Sequence, residues 1–223
     1  MGGLSVRYLS EIIGDEVSRE SLAHGWEQVD VTGITSDSRH VKPGYLFVAI
    51  PGVNQDGRAY IADAIAKGAG AVLTDRMPEG IPHPQTHILL SQNPRHAVSV
   101  IAARFFALQP AHIALVTGTD GKTSTAHFFQ QLWRIMGEPA ASIGTLGVIG
   151  PTGLPDYPAI NTTPDPVLLH DILKDLARHG VQHVAVEASS HGLDQRRLDG
   201  VKCRVAGFTN ITRDHLDYHH TEE

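Results

Sequence analysis

The stretch Val116-Thr117-Gly118-Thr119-Asp120-Gly121-Lys122-Thr123-Ser124 limits what this chain can fold into more than any other. The apolar run Ile113-Ala114-Leu115-Val116 leads into it, and a helical pattern from Lys122 to Met136 follows. The order predicts strand, tight glycine turn, helix. Such a unit belongs in a mainly parallel sheet covered by helices. Glycines let backbone N–H groups close around phosphate oxygens, and the helix N-terminus adds partial positive charge. Lys122 is placed to reach terminal phosphates, and the Thr123 hydroxyl to ligate Mg²⁺. The usual pattern G-x-x-x-x-G-K-[ST] needs a glycine where Val116 stands, so this is a shortened variant.

The remaining pattern agrees with an α/β fold. Strands are expected at Tyr45–Ile50, Ala71–Thr74, His87–Leu90, Val184–Val186 and Val205–Phe208. Helices are expected over Tyr60–Gly68, Arg95–Leu108 and Val167–His179, and a Gly/Pro-rich loop over Gly144–Pro166. Asn93-Pro94-Arg95 reads as the start of a helix. A boundary at Gln109-Pro110 divides the chain into a small N-terminal α/β domain, residues 1–109, and a phosphate-loop domain, residues 110–223.

Two polar clusters stand directly after strands in the second half. Glu187-Ala188-Ser189-Ser190-His191-Gly192-Leu193 puts a carboxylate at a strand's carboxyl end, where open α/β sheets bind ligands. There Glu187 can complete a Mg²⁺ site begun by Thr123. Ser–His adjacency does not make a hydrolase, since no G-x-S-x-G elbow is present. The second cluster, Phe208 to His220, offers His215 and nearby carboxylates for a second metal, with Arg213 for phosphate. Asn161-Thr162-Thr163-Pro164 is a polar loop suited to holding substrate.

Composition removes several classes. Asp and Glu number 24 against 18 Lys and Arg, which argues against a nucleic-acid binder. One cysteine, Cys203, excludes an internal disulfide and a multi-cysteine zinc site. No apolar run approaches the length of a spanning helix, so no membrane insertion is expected. A cytoplasmic monomer is the expectation.

These motifs, in this order, resemble the Mur ligase family of ATP-dependent peptidoglycan amino-acid ligases. The resemblance runs from Thr35-Ser36-Asp37-Ser38-Arg39 to Tyr218-His219. Asn161-Thr162-Thr163-Pro164, Ser189-Ser190-His191-Gly192-Leu193-x-Gln195-x-Arg197 and Arg213-Asp214-His215-Leu216-Asp217-Tyr218-His219 look most like the branch that adds the third residue. It implies a substrate of UDP-N-acetylmuramoyl-L-Ala-D-Glu, ATP, and meso-diaminopimelate or L-lysine, joined in cell-wall synthesis. It also implies an N-terminal domain for the UDP end, a central ATP- and Mg²⁺-binding domain, and a C-terminal domain receiving the amino acid.

Residue by residue, the resemblance gives Ser36, Ser38, Val53, Asn54 and Gln55 to the uridine end. Asn161, Thr162, Thr163, Ser189, Gln195 and Arg197 would hold the muramoyl-peptide. Gly118, Thr119, Asp120, Gly121, Lys122, Thr123 and Ser124 would bind ATP. Thr123 and Glu187 would hold one Mg²⁺ and His215 a second, with Lys122 and His215 the catalytic pair. Asp120 departs from the family's common Asn, and Val53-Asn54-Gln55 from a His-Gln-Ala seen in some members. The chain ends before the family's carbamylated lysine and C-terminal domain, so it is expected to be an inactive N-terminal fragment. A small-molecule kinase and a non-catalytic nucleotide-binding module are the rival readings.

Overall fold

A computed structural model of the chain describes residues 6–18, 22, 24–52, 55–80, 85–158 and 161–212. Its contacts divide it into two compact units, Met1–Ala107 and Leu108–Glu223. Among the described residues, no helix is long and apolar enough to cross a membrane.

The first unit opens with short pieces that the sequence pattern does not announce: β1 (Arg7–Tyr8), α1 (Leu9–Ile12) and β2 (Asp30–Val31), with β1 and β2 antiparallel. Its main sheet is β3 (Gly33–Thr35), β4 (Tyr45–Val48), β5 (Ala71–Thr74) and β6 (His87–Leu90), all parallel and in sequential order. The expected helix at 60–68 is a 3₁₀ turn, Gly57–Tyr60, running into α2 (Ile61–Ala66). Asn93 caps α3 (Pro94–Phe106): its side chain accepts from the His96 N–H, and Pro94 fills the first turn, where no N–H is needed. Phe47, Ile61, Ala64, Val72 and Ile88 pack as the core between sheet and helix.

The second unit is a five-stranded sheet in the order β11-β7-β10-β8-β9. It comprises β7 (His112–Thr117), β8 (Ala140–Gly144), β9 (Gly147–Ile149), β10 (His183–Glu187) and β11 (Cys203–Phe208). All are parallel except β9, which returns antiparallel along β8. The stretch Gly144–Pro166 is therefore not all loop: it begins with this hairpin, whose turn uses Gly147 at φ 85. α4 (Lys122–Ile135) and α5 (Pro166–Arg178) join the strands, the latter capped by Asp165 through the Val167 and Leu168 N–H groups. A single-turn helix, α6 (Ser190–Asp194), follows β10. Leu169, Ile172, Leu173 and Leu176 of α5 pack on Ile113, Ile143, Val184 and Val186 of the sheet. By contrast β11 is exposed along its length, and α4 leaves Phe128, Leu132 and Ile135 in solvent, as does its C-cap Met136.

One core residue of α5 carries a pH dependence. His170 is fully buried, and neither ring nitrogen meets a partner among the described residues. Burial disfavours the imidazolium and lowers its pKa from 6.5 to about 4. Between those values the unfolded chain binds a proton that the folded unit refuses, so stability falls as pH drops through this window. The loss reaches on the order of 3 kcal/mol by its lower end. His170→Leu should flatten that slope, as urea unfolding of both proteins at the two ends of the window would reveal.

Candidate functional site

The carboxyl ends of β11, β7, β10 and β8 lie side by side, and the polar clusters of the second unit hang from them. β7 runs into the glycine turn, where Gly118 has φ 130 and Gly121 φ 83, conformations that side-chain-bearing residues rarely adopt. A Cβ on Gly118 would also lie 2.1 Å from the Thr209 hydroxyl. From Gly121 the chain enters α4, leaving its first N–H groups without intrahelical partners. The Lys122 ammonium folds over the turn and donates to the carbonyls of Gly118, at 2.5 Å, and Thr119, at 2.7 Å. Asp120 and Gly121 are exposed.

Glu187 ends β10 opposite Val116 and is 2% exposed. Its carboxylate accepts from the Thr123 hydroxyl at 2.8 Å, the Thr145 N–H at 2.9 Å and the Thr145 hydroxyl at 3.2 Å. Room for it comes from Gly144, where an added Cβ would stand 2.0 Å from Oε1. Thr145 was not singled out by its sequence context, yet it joins the two halves of the site. Its hydroxyl lies 3.1 Å from that of Thr162.

The substrate-loop candidates form the rest of one hydrogen-bonded chain. Thr163 is fully buried; its hydroxyl donates to the Glu187 carbonyl at 2.8 Å and accepts from the Ser189 N–H at 2.8 Å. The Ser189 side chain caps α6 through the Gly192 N–H. Gly192 is required there, because a Cβ would meet Thr163 at 2.7 Å. Arg197 donates to the Thr163 carbonyl at 2.5 Å and to the Gln195 side chain at 2.8 Å. Asn161 is exposed at the start of this loop.

The oxygen donors of Thr123 and Glu187 suit a hard divalent cation. Among the described residues no three His, Cys, Asp or Glu side chains gather as a metal cluster. His215, offered for a second metal, lies outside the described residues, as does the whole of 213–223.

In the first unit the uridine candidates follow β3 and β4. Ser36 is exposed, whereas Ser38 is buried, and its carbonyl accepts from the Lys67 ammonium, which also donates to the Asp63 carboxylate. Lys67 and Ser38 together lower the Asp63 pKa. Gln55 is exposed, and its carbonyl accepts from the Gly52 N–H at 2.8 Å. Val53 and Asn54 lie outside the described residues.

The chain is 53% identical over 195 residues to a UDP-N-acetylmuramoyl-L-alanyl-D-glutamate--2,6-diaminopimelate ligase of Agrobacterium fabrum, covering 87% of this chain and 39% of that protein. It is 48% identical over 213 residues to the protein of the same name from Bradyrhizobium diazoefficiens, covering 96% and 42%. The chain thus spans about two-fifths of the length of these curated relatives. A solved structure of a UDP-N-acetylmuramoyl-L-alanyl-D-glutamate--2,6-diaminopimelate ligase superposes with a TM-score of 0.74 at 30% identity, covering 88% of this chain and 39% of that one. The model of the Mur ligase family catalytic domain matches residues 30–106 and that of the Mur ligase middle domain residues 116–223, so the chain belongs to the Mur ligase family.

Proposed function

We propose that this chain is the UDP-substrate- and ATP-binding part of a ligase that adds meso-diaminopimelate to UDP-N-acetylmuramoyl-L-Ala-D-Glu in peptidoglycan synthesis. One observation carries the reading: a hydrogen-bonded network branches at Glu187, whose carboxylate accepts from the phosphate-loop Thr123 and from Thr145, which reaches Thr162, while its backbone carbonyl accepts from Thr163, which ties in Ser189 and Arg197. Nucleotide and acceptor sites that share a scaffold suit direct transfer between their ligands. A kinase acting on a small alcohol gives no reason for Arg197 beside the loop, whereas an acceptor with a carboxylate does.

In this reading residues 118–124 hold ATP, and Thr123 and Glu187 hold Mg²⁺, which offsets phosphate charge when bound. Lys122 leaves the loop carbonyls for the terminal phosphates. Asn161, Thr162, Thr163, Ser189, Gln195 and Arg197 seat the muramoyl-dipeptide, with Arg197 orienting its terminal carboxylate. That carboxylate oxygen attacks the γ-phosphorus, the bond to the β-phosphate oxygen breaks, and ADP leaves. An acyl phosphate results because a free carboxylate has no adequate leaving group. The amine of diaminopimelate, having lost a proton, then attacks the acyl carbon and expels phosphate. The first unit, with Ser36, Ser38 and the 53–55 loop, takes the UDP end. His215 serves a second metal.

The 223 residues alone are proposed not to make the peptide bond, since about three-fifths of the relatives' length lies outside the matched part. A chimera joining this chain to the remainder of the Agrobacterium relative tests both statements. With UDP-muramoyl-dipeptide, ATP, Mg²⁺ and diaminopimelate, mass spectrometry should detect tripeptide from the chimera and none from the short chain. Comparable product from the short chain contradicts the fragment reading. An inactive chimera beside an active relative contradicts the ligase reading.

Asp120 supplies a smaller test. Its exposed carboxylate places a negative charge on a loop that is to receive phosphates. Removing a like charge at contact range in water is worth about 1 kcal/mol. Asp120→Asn should therefore tighten ATP binding about fivefold at low salt, with the gain shrinking as salt rises. Titration calorimetry at two ionic strengths measures both.

A further inference from the structure

The segment after β11 laces itself to the phosphate loop, and Asn210 makes the most specific stitch. Its carboxamide accepts from the Asp120 N–H at 3.1 Å and donates to the Asp120 carbonyl at 3.2 Å. One side chain thereby pairs with both backbone groups of one loop residue. The Asn210 carbonyl accepts in addition from the Thr119 N–H at 2.9 Å. On either side, the Thr209 hydroxyl donates to the Asp120 carbonyl at 2.7 Å, and the Thr212 N–H donates to the Thr119 hydroxyl at 3.0 Å. The loop closes tightly enough that a Cβ on Gly118 would come within 2.8 Å of the Asn210 carbonyl.

These contacts decide which loop donors remain for a ligand. With the Thr119 and Asp120 N–H groups committed, those of Gly121 to Ser124 at the start of α4 have no intrahelical partner. Their direction depends on the peptide that joins Asp120 to Gly121, and that peptide's carbonyl is the one gripped by Asn210 and Thr209. We infer that Asn210 is a positioning residue for nucleotide binding: it fixes the Asp120–Gly121 turn so that the N–H groups of residues 121–124 converge on one phosphate. The inference rests on the nucleotide reading of the loop. Asn210 itself need not touch the ligand.

The test uses the 223-residue chain with ADP and Mg²⁺. Asn210→Ala should weaken ADP about tenfold by calorimetry, as expected for two lost hydrogen bonds that hold the site's geometry. The ³¹P resonance of the bound β-phosphate should move, because its donors are re-aimed. The melting temperature without nucleotide should fall only slightly, since each such bond contributes about 1 kcal/mol net. Asn210→Asp should weaken ADP further, since its second oxygen would face the Asp120 carbonyl. Should Asn210→Ala not fold, Thr209→Val removes a hydroxyl donor to the same carbonyl without changing shape and carries the same comparison. Binding within twofold of wild type with an unmoved ³¹P resonance would overturn the inference and leave the nucleotide reading standing. Weaker binding that only tracks a lower melting temperature, with the resonance unmoved, would overturn it too. No ADP binding by the wild-type chain would overturn the nucleotide reading, and this inference with it.

Discussion

Lys122→Ala should lower the chain's affinity for ATP by about 30- to 150-fold, the equivalent of losing one charge-assisted contact worth roughly 2–3 kcal/mol. The side chain now caps two carbonyls of its own loop, Gly118 and Thr119. Bringing a polyphosphate to the same turn offers the ammonium a stronger partner, and neutral carbonyls cannot compete with it. The loop keeps its other ties through Thr209, Asn210 and Thr212, so the alanine variant should still fold. Lys122→Arg is not expected to restore full affinity, because a planar fork differs in shape from a compact point charge. Calorimetry of the three proteins decides the matter. Equal affinities for wild type and Lys122→Ala would remove phosphate binding from this loop.

Gly144→Ala is expected to damage the second unit severely. Its Cβ would stand 2.0 Å from Oε1 of Glu187, 2.4 Å from Cδ and 2.6 Å from Cγ, so the carboxylate must leave. Departure breaks the contacts to Thr123 and Thr145 and leaves a nearly fully buried charge without its donors. Stranding a buried charge in this way costs about 3–5 kcal/mol. The melting midpoint of the second unit should fall by roughly 12–20 °C, and the Mg²⁺ dependence of nucleotide binding should go with it. Adding Glu187→Ala to Gly144→Ala should recover much of the stability and none of the Mg²⁺ dependence. A stable Gly144→Ala protein with normal Mg²⁺ dependence would contradict the assigned crowding.

The same glycine explains why part of this unit escapes a reading from sequence. β8 is Ala140-Ala141-Ser142-Ile143-Gly144, buried on both faces, with one β-branched residue and no alternation. Small residues stand there because α4 crosses above and Glu187 leans across the strand's end, neither of which is visible locally. With β8 unseen, Thr145 looked like loop. α6 hides for a similar reason: Gly192 weakens it as a helix but is the only residue that fits against Thr163. The phosphate turn and Glu187 were legible because strand, glycines, lysine and carboxylate are adjacent in the chain. Asn210 acquires its place only when β11 pairs with β7, a contact between residues far apart in sequence.

In the proposed reading the carboxyl edge of the five-stranded sheet binds a nucleoside triphosphate together with a divalent cation held by Thr123 and Glu187. Titration calorimetry of a non-hydrolysable ATP analogue into the 223-residue chain, with Mg²⁺ and with EDTA, for wild type and Glu187→Gln, tests it. The expected result is one site, tightened by Mg²⁺ in the wild type and indifferent to Mg²⁺ in the variant. No binding, or a Mg²⁺ effect that survives in Glu187→Gln, would contradict the claim.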